Sequence, residues 1–173
     1  MKFLLLLLFT LTLHAKLLIS PFDAMKLHFG EDSRIEKKSL LLTSEQANTV
    51  AKLAKLKLGT KIYKTFRAFK DDKLLGHGIL VLHKVRSKNT AVLSIITPDG
   101  RLKTIEIVAF NEPIEYLPSK NWIEVLNNKK LSDSLTLGKD IPSITAATMS
   151  ARAATNAARI ALSIYEVRLK NNL

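Results

Sequence analysis

Apolar residues along this chain are spaced first as in helices, then as in strands, then as in a helix again. The opening run, Phe3 to Leu13, is apolar but for Thr10 and Thr12, lies behind a single Lys2 and ends in His14-Ala15. That is the layout of a cleavable signal peptide, and the run is too short to span a bilayer comfortably. The expected cut follows Ala15. SPFDAMKLHFG then reads as a short helix, with Ser20 as cap, Pro21 in the first turn and Gly30 at the end. RIEKKSLLL reads as a strand. TSEQANTVAKLAKL reads as a helix, with Thr43 and Gln46 in capping-box spacing and Ala47, Val50, Ala51 and Ala54 as its apolar stripe. Gly59 closes this N-terminal unit.

From Lys61 the period falls to two. KIYKTFRAF, KLLGHGILVLHKV, TAVLSIIT and RLKTIEIVAF read as successive strands. The acidic pair Asp71-Asp72 marks a hairpin tip, and Pro98-Asp99-Gly100 marks another tight turn. In the last of these strands Ile105, Ile107 and Ala109 are expected on one face, with Thr104, Glu106 and Val108 on the other. SKNWIEVLNN reads as a short helix capped by Ser119. The helical period returns from about Met149 to Leu169. Ala153, Ala157, Ile160, Ala161 and Ile164 mark its apolar face, and Arg152, Asn156, Arg159, Ser163 and Glu166 its polar one. Short turns between consecutive strands predict an antiparallel sheet. The expected architecture is α+β: an antiparallel sheet packed against helices, with a long C-terminal helix. The expected division is a signal peptide over 1–15, an N-terminal annex over 16–59 and a main domain over 60–173.

Composition changes the picture in two ways. The 173 residues include no Cys, which excludes thiol chemistry, Fe–S clusters and thioether-bound haem. The net charge is +12. Such a surface favours an acidic protein partner or anionic lipid. Export argues against nucleic acid, and places the mature chain in the periplasm or on the outer side of a membrane.

Most catalytic signatures are missing. His28, His77 and His83 have no Asp or Glu at metal-site spacing and read as surface or half-buried side chains. Gly76-His77-Gly78 does not open a helix, so it is no phosphate loop. The unusual stretch is ITAATMS, which gathers Thr145, Thr148 and Ser150 around Ala146 and Ala147 at the mouth of the last helix. One hydroxyl suffices for a cap. A helix mouth also offers free N–H groups and the positive end of a dipole, which favour a phosphate.

ITAATMSARA resembles the C-terminal signature of the FMN-binding domain family, approximately Asp-x-x-Ser/Thr-Gly-Ala-Thr/Ser-x-Ser/Thr. That family includes the small flavin subunits of Rnf and Na+-pumping quinone reductase complexes. GHGILVLHKV, and VLSIITPDGRLKTIEIVAFNEPIEYLPSKNW after it, resemble the family's middle, so the likeness covers about Lys61 to Val167. It implies FMN at the start of the C-terminal helix, either held reversibly or esterified to Thr148 by a flavin transferase. Thr145, Ala147, Met149 and Ser150 would line the phosphate end. Glu112, Tyr116, Leu117 and Gly78 would lie near the flavin, with Pro113 and Trp122 in the acidic-proline loop and its aromatic helix. The motif glycine is Ala146 here, and the motif aspartate falls at Pro142, two residues after Asp140. The implied role is an exported electron carrier, or a subunit of an oxidoreductase, partnered by a membrane oxidoreductase or a cytochrome, with a peripheral membrane contact compatible with its charge. The competing reading is a non-redox cell-envelope module whose basic surface binds anionic lipid or a protein partner.

Overall fold

The computed structural model describes residues 17–85 and 88–171. The expected signal peptide, residues 1–15, lies outside the described residues. The fold is α+β. Five strands form one antiparallel sheet in sequential order: β1 (Arg34–Leu41), β2 (Ile62–Lys70), β3 (Lys73–Val85), β4 (Lys88–Ile96) and β5 (Leu102–Phe110). The helices are α1 (Pro21–Phe29), α2 (Ser44–Ala54), α3 (Lys120–Glu124) and α4 (Thr148–Ile164), which continues as a π-helical turn over Tyr165–Leu169. Among the described residues no helix is long and apolar enough to cross a membrane.

Local chemistry sets the element ends. Ser20 Oγ accepts from Asp23 N at the start of α1, and Gly30 closes it with φ +104°. Thr43 and Gln46 form a reciprocal capping box on α2. Ser119 caps α3 through Trp122 N. Asp71 and Asp72 both adopt positive φ between β2 and β3, as a tight hairpin turn requires. Gly100 N donates to Thr97 O in the β4–β5 turn.

The sheet has a core on each face. On one, α4 covers a core that includes Tyr63, Ile79, Val81, Val92, Ile96, Ile105 and Ile107, and α2 packs against α4 in the same core. On the other, α1 covers Phe66, Ala68, Leu93, Ile95 and Val108. The alanines of α4 carry little bulk beyond Cβ, so its backbone lies close to the sheet. Two positions depart from the sequence pattern. The pairing shifts between Ala91 and Val92, and this irregularity turns Ala109 onto the α1 face beside Val108. Ser163, expected on the polar stripe of α4, is fully buried and donates to Arg159 O at 2.8 Å. A satisfied hydroxyl is tolerated there.

Candidate site at the mouth of the C-terminal helix

The C-terminal end of α4 is fixed on the β4–β5 turn. Tyr165 donates its hydroxyl to Pro98 O at 2.6 Å, and its ring meets His77 edge-on at 5.5 Å. Seventeen helical residues extend about 25 Å, comparable to the length of the strands beneath. Helix α4 packs on β3, β4 and β5. At the rim opposite the β4–β5 turn, β3 and β5 end, β4 begins, and Glu112 accepts from Lys88 N at 3.1 Å. The 3-10 turn Ile114–Tyr116 follows, and Tyr116 and Leu117 are half-buried against the α4-side core. Trp122 Nε1 donates to Pro142 O at 2.7 Å, tying the segment before α4 to the segment after β5. The structure thus groups Glu112, Tyr116 and Leu117 on the segment that leaves this rim of the sheet.

At the mouth itself, Ala146 has φ +65° and Ala147 is the N-cap residue, with no side chain capping the helix. None of the three hydroxyls acts as a cap. Thr145 is exposed. Thr148, the first helical residue, is half-buried and donates back to Ile144 O at 3.0 Å. Ser150 is buried, and its Oγ has no hydrogen-bond partner. Other hydroxyls of α4 behave differently: Thr155 bonds to Ala151 O and Ser163 to Arg159 O, each four residues back. For Ser150 the residue four back is Ala146, which is left-handed and outside the helix. The first intrahelical bond is Ala151 N to Ala147 O at 3.1 Å. The amides of Thr148, Met149 and Ser150 are thus left without a capping side chain, at the positive end of the helix dipole. Met149 is exposed beside them, and Ala147 is buried.

Other residues singled out in the sequence are placed elsewhere. A side chain on Gly78 would meet Met25 Sδ at 2.6 Å, so this glycine serves the seat of α1 on the opposite face of the sheet. The Asp140 carboxylate accepts from Leu135 N at 2.8 Å and Thr136 N at 2.7 Å. Burial raises its pKa, but those backbone bonds outweigh it and hold the carboxyl below its usual range. It organises the loop ahead of α4. His77 is fully buried with both ring nitrogens unpartnered. Burial, with the charge of Arg67 added, lowers its pKa to about 4, so the ring is neutral. Half-buried His83 is shifted down by burial as well.

Sequence reasoning missed one pair. His28 Nε2 lies 2.7 Å from Glu106 Oε1 beside a cleft of about 480 Å³, lined also by Lys103, Thr104 and Lys120. No Ser lines this cleft, and its residues come from three separate elements, so no local motif announces it. Among the described residues no group of three or more His, Asp or Glu is placed to hold a metal. No protein-family model matches the chain, and no curated protein sequence matches it.

Proposed function

We propose that this protein is an exported FMN-binding electron-transfer protein, with the flavin phosphate at the mouth of α4. The observation that carries the reading is the pairing of an uncapped helix start with a buried, partnerless Ser150 hydroxyl. A phosphate there would meet unpaired N–H groups, a favourable dipole and a hydroxyl donor that has no other use. Ala146 adds a second support. Its left-handed backbone stands where the family resemblance puts glycine, the residue that adopts this conformation most readily. At Pro142, where the family resemblance puts aspartate, the backbone carbonyl accepts from Trp122 Nε1.

In this reading Thr148, Met149 and Ser150 hold the phosphate end, while Tyr116, Leu117 and Met149 supply apolar surface to the ring. Bound FMN would supply one- and two-electron transfer, which no side chain of this Cys-free protein offers. Thr148 is the residue for a phosphoester, and its ester would replace the hydrogen bond to Ile144 O. The partners are then a flavin transferase for attachment, and a membrane oxidoreductase or cytochrome for electrons.

The test is export in a host with an active flavin transferase, followed by an absorption spectrum and an intact mass. A flavin spectrum is expected, with a mass increment of esterified FMN that Thr148→Ala abolishes. Ser150→Ala should weaken uptake of added FMN about tenfold, the effect of one charge-assisted hydrogen bond. Colour without the increment would mean reversible binding. A colourless protein that takes up no added FMN would overturn the proposal.

A further inference from the structure

One face of the sheet is only half covered. Helix α1 packs over Phe66, Ala68, Leu93 and Ile95. Beyond it, cross-strand pairs and the strand alternation put apolar residues of all five strands at one level of this face. Leu41 is opposite Ile62, and Leu82 is opposite Ala91. The β2–β3 pairing ends at Lys64 and Leu80, and Ile62 and Leu82 lie two residues beyond it on the same face. Ala91 is opposite Ala109, and Ala109 is bridged to Leu17. Directly paired residues point to the same face. Leu41, Ile62, Leu82 and Leu17 are 66%, 58%, 71% and 63% exposed. Single exposed leucines are ordinary, but four large apolar side chains in one row form a surface feature.

We propose that this half-face docks on an anionic phospholipid membrane. Lysines dominate the charge around the row. Lys37, Lys64 and Lys84 share the face, by their pairing with Phe66, Leu80 and Asn89, and the carboxylate of Glu106, in the cross-strand row of Lys64, is engaged by His28 of α1 at 2.7 Å. Apolar side chains with lysines around them fit the boundary between acyl chains and anionic headgroups. A second copy is a poor occupant, since a two-fold contact would set lysines against lysines. The chain end gives an independent argument. Leu17, at one end of the row, is preceded by Lys16 and the apolar run Phe3–Leu13. The segment read as a signal peptide thus joins the described fold at Leu17, at one end of this row. The row also crosses the sheet near the end where Glu112 meets Lys88. The proposal does not rest on the flavin reading.

The test uses the chain recovered from an exporting host, mixed with vesicles of phosphatidylglycerol and phosphatidylcholine or of phosphatidylcholine alone, and sedimented. Binding is expected only with the anionic lipid. Neutralising Lys37, Lys64 and Lys84 together to Gln should weaken it about a hundredfold, at about fivefold for each lysine. Leu82→Ser should weaken it about tenfold. These side chains are exposed, so circular dichroism should be unchanged, and flavin content read in the same samples separates this result from the cofactor reading. The proposal fails if wild-type protein binds no vesicles, or binds both kinds equally. It fails if neither variant set changes binding, which would assign binding to the N-terminal run. A dimer that Leu82→Ser dissociates would make a second copy the occupant.

Discussion

Ala146 occupies the left-handed region at φ +65°, where its Cβ is strained against its own backbone by about 1 kcal/mol relative to glycine. Ala146→Gly should therefore stabilise the protein by about that amount, or about 3 °C in Tm for a chain of this size. Thermal unfolding of the two proteins checks it, and a lower Tm would show that the extra freedom of the unfolded glycine chain outweighs the relief. The residues of this turn are legible in the sequence, because the hydroxyls cluster within six positions. Its backbone is not, because alanine carries no local preference for positive φ. Nor does any pattern distinguish the orphaned Ser150 from Thr148, whose hydroxyl finds Ile144 O. That difference depends on which carbonyls the turn brings into reach.

The seat of α1 shows how elements meet. A Cβ on Gly76 would lie 2.5 Å from Phe29 Cζ and 2.6 Å from Ile96 O, while one on Gly78 would lie 2.6 Å from Met25 Sδ. A backbone carbonyl in a paired strand cannot move without disturbing the ladder, whereas a methionine end can swing aside. Gly76→Ala should cost about 2 kcal/mol and Gly78→Ala about 1 kcal/mol, measured by urea unfolding. Equal or reversed costs would mean that α1 shifts as a body instead. Helix boundaries were readable here: the Ser20, Thr43 and Ser119 caps and both turn motifs act where the sequence placed them, because a cap satisfies amides within three residues of itself. The close approach of α1 to two glycines in β3 was not readable. Gly78, expected beside a flavin, has its missing side chain filled by α1, and a strand glycine looks the same in either use.

At the scale of the whole molecule, closing α4 over the sheet buries His77 with no partner for either nitrogen. Its folded pKa of about 4 lies below the ordinary value of 6.5. Above the unfolded value the ring is neutral in both states and no stability is lost. As pH falls from 6.5 toward 4, the unfolded chain takes up a proton that the folded one refuses, and stability drops by about 3 kcal/mol. Urea unfolding at neutral pH and at about pH 4 should show this loss, and His77→Leu should remove most of it. An unchanged slope in the variant would assign the acid sensitivity elsewhere. The sequence by itself determined the α+β class, the order of strands and helices, the caps, the turns and the cluster at the start of α4. Those follow from residue spacing and from chemistry that acts within one turn. Only the tertiary structure decided that His28 meets Glu106 across 78 positions, that His77 is sealed under α4, and that Leu41, Ile62, Leu82 and Leu17 fall into one row. Such meetings depend on strand register and on which face a helix covers, and these are set by the packing of the whole chain rather than by any short stretch of it.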